Sequence, residues 1–128
     1  MPIRAIVTTA LLMLCAFSTE AADFKNQKLA LQGSGIDCGL DFSTDGKSVD
    51  LFLPTGEMCA PLMSLRSKWL DANTLLLVEK TSHDDLTPPR TFIYKVKSVQ
   101  GQRVVLTEIW TGWGEQADQD QEYLLEAH

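Results

Sequence analysis

The sequence predicts an all-β fold, a small antiparallel up-and-down meander of about eight strands that closes, or nearly closes, into a barrel. Beyond residue 22, apolar and polar side chains alternate with a period of two. Turn-forming residues separate these short runs, and no run of helical period is long enough to compete. Closure removes the exposed sheet edges that would template aggregation, so we expect a barrel and rank an open sandwich second.

The predicted strands are rich in branched and aromatic side chains, as residues on pleated surfaces usually are. They are Leu29–Gln32, Gly39–Ser43, Ser48–Leu53, Ser67–Leu70, Thr74–Lys80, Thr91–Val99, Arg103–Thr111 and Glu122–Glu126. The segment Met58–Ser67 is expected to form only an irregular turn, because Pro61 lacks a backbone N–H.

Three connections predict that consecutive strands pair. Asp45-Gly46, Asp71-Ala72-Asn73 and Gln100-Gly101 contain the residue types that tight hairpin turns favour. The period of two then places two sets of side chains on common faces. These sets are Phe92, Tyr94 and Val96 on one strand, and Val104, Leu106 and Trp110 on the next.

The first 21 residues are typical of a secretory signal peptide. Arg4 precedes an apolar run from Ala5 to Phe17, and the small residue Ala21 suits cleavage. This run is shorter than a membrane span requires. Cys15 does not predict a lipid anchor, because the bulky Leu14 precedes it. We therefore expect a single mature domain, residues 22–128, in the periplasm or outside the cell.

The chain is acidic, with a formal net charge of −6. Lys95 and Lys97 come closest to a basic cluster, so nucleic acid is excluded as an expected partner. A cationic protein or a cation suits this charge better, although acidity also serves solubility. We expect no membrane span, and either a monomer or a weak dimer.

Two cysteines remain after the predicted cleavage, Cys38 and Cys59. In an oxidising compartment such a pair typically forms a disulfide. Neither has a Cys or His within four residues, so we predict the disulfide and no metal site at these positions.

The most unusual cluster is Trp110-Thr111-Gly112-Trp113-Gly114. Indoles combine a large apolar area with a polar N–H, which suits a binding rim. Alternatively, Trp110 fills the barrel core and Trp113 covers its open end. Trp69 is a further candidate contact.

The connection 81–90 is polar and contains the candidate binding residues His83 and Arg90. A solvated loop with a stiff Pro88-Pro89 exit explains the same residues without a function, and we favour that interpretation. Asp118, Asp120 and Glu122 alternate as in an EF-hand calcium loop, but Tyr123 stands where that loop needs glycine. We therefore predict no metal or other cofactor.

No local catalytic signature is present, and Ser64 or Ser67 with His83 is an arrangement that any domain of this size offers. We therefore predict a protein that is not an enzyme. The expected architecture is similar to the lipocalin-like, calycin-type barrels of exported proteins. A rigid closed scaffold that carries long loops is typical of recognition proteins, so we predict a binding module that recognises a protein or small ligand through its loops. The alternative is a periplasmic inhibitor or immunity-type protein acting on a basic cell-wall enzyme such as lysozyme.

Overall fold

The protein is an eight-stranded antiparallel barrel in a computed structural model that describes residues 23–33, 38–55, 58–81 and 86–128. The predicted signal peptide lies outside the described residues. Each strand pairs with the next, and β1 pairs with β8 to close the sheet. The fold prediction is confirmed. The strands are β1 Gln27–Leu31, β2 Gly39–Phe42, β3 Ser48–Thr55, β4 Met58–Asp71, β5 Thr74–Glu79, β6 Thr91–Gln100, β7 Arg103–Ile109 and β8 Gln119–Ala127.

Aspartate side chains organise two of the predicted turns. The Asp45 carboxylate accepts hydrogen bonds from the Lys47 N–H at 2.9 Å and from the Ser43 hydroxyl at 2.8 Å. The Asp71 carboxylate accepts the Asn73 N–H at 2.8 Å. These bonds favour the ionised acids and lower the pKa of both carboxyl groups. Local side-chain bonding therefore sets the reversals that the sequence predicts.

Alternation along the strands fills the barrel with apolar side chains. Eight strands leave an interior just wide enough for side chains to occupy. Tyr94 lies inward on β6, and Val104 and Leu106 lie inward on β7, as predicted. The buried cluster comprises Phe24, Leu29, Leu40, Phe42, Val49, Leu51, Leu65, Leu75, Leu77, Tyr94, Val104, Leu106 and Tyr123.

The up-and-down order gives the barrel two different ends. At one end, which we call the turn end, residues 43–47, 72–73 and 101–102 connect the strands. At the other, the loop end, the connections 32–38, 56–57, 80–90 and 110–118 emerge. Three of the loop-end connections are longer than any at the turn end, so the loop end offers more surface for recognition.

Aromatic side chains close the turn end. Phe24 is only 3% exposed, and its ring centroid lies 5.5 Å from that of Phe42 and 5.8 Å from that of Trp69. The Asn26 N–H donates to the Ser43 carbonyl at 2.9 Å and attaches this segment to the β2–β3 turn. Phe24 is therefore part of the core although it precedes the first strand.

Strand β4 corrects the prediction for Met58–Ser67. This segment is not an irregular turn but the first part of a strand that continues to Asp71. Pro61 pairs opposite Phe52, next to a register shift between Leu51 and Phe52. Proline is tolerated beside such a bulge, since the regular ladder is already interrupted there.

The predicted disulfide is present. The sulfur atoms of Cys38 and Cys59 lie at bonding distance, and their Cα atoms are 5.3 Å apart. Cys38 immediately precedes Gly39, which has a φ of +144°, and a Cβ at Gly39 would lie 1.8 Å from the Leu29 carbonyl oxygen of β1. This junction requires glycine.

Candidate functional site

Exposed large apolar side chains are concentrated at the loop end. Among the described residues, Leu53, Met58, Leu86, Trp110 and Trp113 are exposed there, whereas the turn end exposes Leu70 and Val99. Scattered apolar side chains on a surface are ordinary, but several at one end of a scaffold indicate a contact surface.

The β7–β8 connection, residues 110–118, is the most organised part of this surface, and we call it the tryptophan loop. The Trp110 indole N–H donates to the Gly114 carbonyl at 3.0 Å. The Trp110 backbone N–H donates to the Asp118 carboxylate at 2.9 Å. Thr111 donates its hydroxyl hydrogen to the Thr91 carbonyl at 2.9 Å. The first two bonds join residues within the loop, and the third attaches the loop to the start of β6.

Trp113 lies at the tip of the tryptophan loop with 98% of its surface exposed. A fully exposed indole is unfavourable, because its apolar area stays in water and the free energy of burying it is not gained. A tryptophan held out by a structured loop is the kind of side chain that dominates binding energies at interfaces.

The alternative prediction that Trp110 fills the core is wrong. Strand β7 ends at Ile109, so Trp110 does not continue the inward face of Val104 and Leu106. Its side chain is 39% exposed and lies over Gly112, where a Cβ would approach the ring to 2.4 Å. Gly112 therefore bends the chain, and Trp110 packs against its own loop.

A small cavity of about 80 Å³ lies between the tryptophan loop and the barrel rim. It is lined by Glu108, Trp110, Gln116, Ala117 and Gln119. Burial disfavours the charged form of Glu108 and raises the pKa of its carboxyl group.

Sequence reasoning missed Glu108. Alternation places it inward after Val104 and Leu106, directly opposite Tyr94 on β6. Burial is also the main cause that raises the pKa of the Tyr94 and Tyr123 hydroxyls, and the Glu108 charge adds to it in both. The signal in the sequence is the spacing: Glu108 stands at the next alternate position after two buried apolar residues, where another inward side chain is expected.

The remaining predicted contacts are dispersed. Trp69 is partly buried against Phe24 at the turn end and does not share a surface with Trp113. Arg90 lies at the loop end, with its Nε 3.9 Å from Glu79 Oε2. His83 lies outside the described residues.

The carboxylates of the run 118–122 are bound to protein donors. Asp118 accepts the Trp110 N–H, and Glu122 pairs with Arg103 at 2.7 Å. Asp120 contacts Lys97 and Thr107, which lowers the pKa of its carboxyl group, the Lys97 bond having the largest effect. Within the described ranges, no group of three or more His, Cys, Asp or Glu residues could hold a metal ion.

The serines weighed for catalysis have other partners. The Ser64 hydroxyl donates to the Asp50 carboxylate at 2.5 Å, and the Ser67 hydroxyl donates to the Gly46 carbonyl. His128, at the C-terminus, pairs with Asp41 at 2.5 Å. Neither serine therefore contacts a described histidine.

Comparison with protein-family models, curated proteins and solved structures finds no match for this chain. In the parts of the chain that the structure describes, no helix has the length and apolar character to cross a membrane.

Proposed function

We propose that this protein is an exported binding module that recognises a protein partner through the loop end of its barrel. The observation that carries the proposal is Trp113, 98% exposed on a loop that hydrogen bonds hold in place. Trp110, Leu86 and Met58 are also exposed at the loop end. Tryptophan is enriched among the residues that carry most binding energy.

The filled interior favours a protein over a small ligand. The buried side chains form one core cluster inside the barrel. At the loop end, the cavity beside the tryptophan loop is about 80 Å³, which is below the roughly 300–1,000 Å³ of common ligand pockets. A larger depression of about 400 Å³ lies at the turn end, away from the exposed tryptophans. Recognition is therefore assigned to the outer surface of the loops.

The internal bonds of the tryptophan loop support this assignment energetically. Ordering a flexible loop on binding costs free energy that subtracts from affinity. Here the Asp118, Gly114 and Thr91 oxygen atoms already hold the loop before any partner arrives. A preorganised loop retains more of the burial energy of Trp113.

The export half of the proposal is supported by the predicted signal peptide and by the disulfide, which is typical of oxidising compartments. Cleavage before Ala22 would leave Phe24, the first buried side chain, just inside the mature N-terminus. The proposed site of action is the periplasm or the extracellular space.

Trp113→Ala tests the binding role, with Leu70→Ala as the matched control. Leu70 is 53% exposed at the opposite end of the barrel. In capture from a periplasmic extract of the source cells, followed by affinity measurement on the captured protein, Trp113→Ala should lose at least about tenfold in affinity. Leu70→Ala should bind as the wild type does, and both variants should keep its melting temperature. Equal capture by all three proteins would contradict the proposal.

A second candidate function is inhibition of a basic cell-wall enzyme such as lysozyme. The net charge of −6 and the half-buried Glu108 beside the tryptophan loop favour a cationic target. The mature protein should then inhibit lysozyme stoichiometrically, and added salt should weaken the inhibition. Full lysozyme activity at low ionic strength would exclude this candidate.

A further inference from the structure

We propose that the cavity between the barrel rim and the tryptophan loop receives the cationic head group of a lysine or arginine side chain from the protein partner, with Glu108 as its counter-ion. This inference rests on the proposed function, since it names the chemistry that the loop end recognises. Its three supports are the position of Glu108, the lining of the cavity and its size.

Glu108 lies at the rim of the barrel on an inward position of β7. It pairs opposite Tyr94 on one side and opposite Gln119 on the other. Burial is the cause that raises the pKa of its carboxyl group, and no cation or hydrogen-bond donor of the described residues acts on it. A half-buried carboxylate in this position is stabilised in its ionised form when a cation enters from outside.

The other residues around the cavity suit a cation. Trp110 contributes an indole, whose ring face attracts ammonium and guanidinium groups. Gln116 and Gln119 supply side-chain amides whose oxygens accept hydrogen bonds from the same groups. Lysine and arginine heads carry only donors, so acceptors and a negative charge are the complement they need.

The cavity is large enough for the charged end of one side chain but too small for a complete small-molecule ligand. Its volume is about 80 Å³, and a water molecule in the liquid occupies about 30 Å³. An ammonium or guanidinium group with the last part of its stem is of this order. The rest of the partner would then lie over the exposed surface of the tryptophan loop.

Glu108 is the one acidic residue among the described residues that line the cavity. Asp118 is engaged by the Trp110 backbone N–H, and Asp120 by Lys97 and Thr107. Glu122 is paired with Arg103. Because these acids already have donors, an incoming cation gains most at Glu108.

The test uses defined small probes in place of the unidentified partner. N-acetyl-lysine methylamide and N-acetyl-arginine methylamide are titrated into the disulfide-bonded mature protein, and backbone and indole N–H resonances are followed by NMR. The neutral analogues with norleucine and citrulline serve as ligand controls. Glu108→Gln is the test variant, and Glu115→Gln is the matched control, because Glu115 is exposed on the tryptophan loop and does not line the cavity.

We expect the cationic probes to shift the resonances of residues 108, 110, 116, 117 and 119, and the neutral analogues to leave them in place. Glu108→Gln should weaken probe binding by at least about tenfold, since it removes the half-buried negative charge that pairs with the cation. Glu115→Gln should bind as the wild type does. Equal shifts from the neutral analogues, unchanged affinity in Glu108→Gln, or no shift at the cavity residues would each overturn the proposal.

The same variants separate this inference from the proposed function. If Trp113→Ala abolishes partner capture but Glu108→Gln captures the partner as the wild type does, the loop end binds without a cation pocket and only this inference fails. If the cationic probes bind at Glu108 but Trp113→Ala leaves capture unchanged, the pocket stands and the proposed function fails.

Discussion

The indole of Trp110 lies directly over Gly112, two residues further along the same loop. A Cβ built at Gly112 would come within 2.4 Å of Cζ2 and 2.6 Å of Cη2 of that ring. The loop therefore folds around its own tryptophan, and its conformation depends on the absence of one side chain.

Gly112→Ala should displace the Trp110 ring and break its hydrogen bond to the Gly114 carbonyl. We expect the indole N–H resonance of Trp110 to move, while unfolding free energy changes by less than about 1 kcal/mol because the loop is exposed. Thr111→Ser, which keeps a hydroxyl for the Thr91 carbonyl, is the control. An unmoved indole resonance in Gly112→Ala would contradict the packing described.

Gly39→Ala should be among the most destabilising substitutions. Its Cβ would lie 1.8 Å from the Leu29 carbonyl oxygen, and the φ of +144° is strained for any other residue. Gly101→Ala is the control, because its φ is +61° but nothing lies within 4 Å. Urea denaturation should show losses of more than about 4 kcal/mol for Gly39→Ala and about 1–2 kcal/mol for Gly101→Ala. Similar losses in the two variants would refute the close approach of β1 and β2.

Phe24→Ala should create a cavity at the turn end and lower the free energy of unfolding. Phe24 is 3% exposed and packs on Phe42 and Trp69, so its removal leaves a cavity that costs about 3–5 kcal/mol. The exposed Trp113→Ala should stay within about 0.5 kcal/mol of the wild type. Thermal and urea unfolding measure both, and a Phe24→Ala protein as stable as the wild type would place this residue outside the core.

Removal of the disulfide should destabilise the fold. The bridge spans 21 residues, and a loop of this length stabilises by about 3 kcal/mol through the unfolded chain. We expect the Cys38→Ala/Cys59→Ala variant to lose about this amount in urea denaturation. A reductant should lower the midpoint of the wild type and leave that of the double variant unchanged. A wild-type midpoint that does not respond to full reduction would argue against the bridge.

Glu108 should make stability depend on pH. Because burial raises the pKa of its carboxyl group, the folded protein keeps the proton at pH values where the unfolded chain has lost it. The free energy of unfolding from this group is therefore highest below the ordinary glutamate pKa and falls as pH rises through the folded pKa. Glu108→Gln should lack this fall, and Glu115→Gln should retain it, in urea denaturation between about pH 4 and pH 7. Identical pH profiles for the wild type and Glu108→Gln would contradict the burial of this carboxylate.

Much of the fold could be predicted because its signals are local. The period of two and the turn residues around Asp45 and Asp71 require only neighbours in the chain to act. The cysteine pair was predictable from the number of cysteines and from the predicted oxidising compartment. The first part of strand β4 was not predictable. Proline lacks the N–H that a regular strand needs, and only the bulge beside Phe52 allows Pro61 to lie in the strand.

The candidate site was predictable only in part. The sequence identifies Trp110 and Trp113 as candidate contacts, but the exposure of their side chains depends on how the loop folds around Gly112. Trp69 looks equally suitable in sequence and lies at the opposite end of the barrel. Glu108 was not predictable as a site residue, because its partial burial opposite Tyr94 depends on the closure of the barrel and not on its neighbours in sequence.

By itself, the sequence determined the order of the strands and the turns that join neighbours, because alternation and turn hydrogen bonds act over a few residues. It also determined the pairing of Cys38 with Cys59, because only these two cysteines follow the predicted signal peptide. Only the tertiary structure decided which end of the barrel is closed by Phe24, where the Trp110 ring lies and which carboxylate faces a cavity. These features depend on the closure of β1 onto β8, which brings together residues that are far apart in the chain.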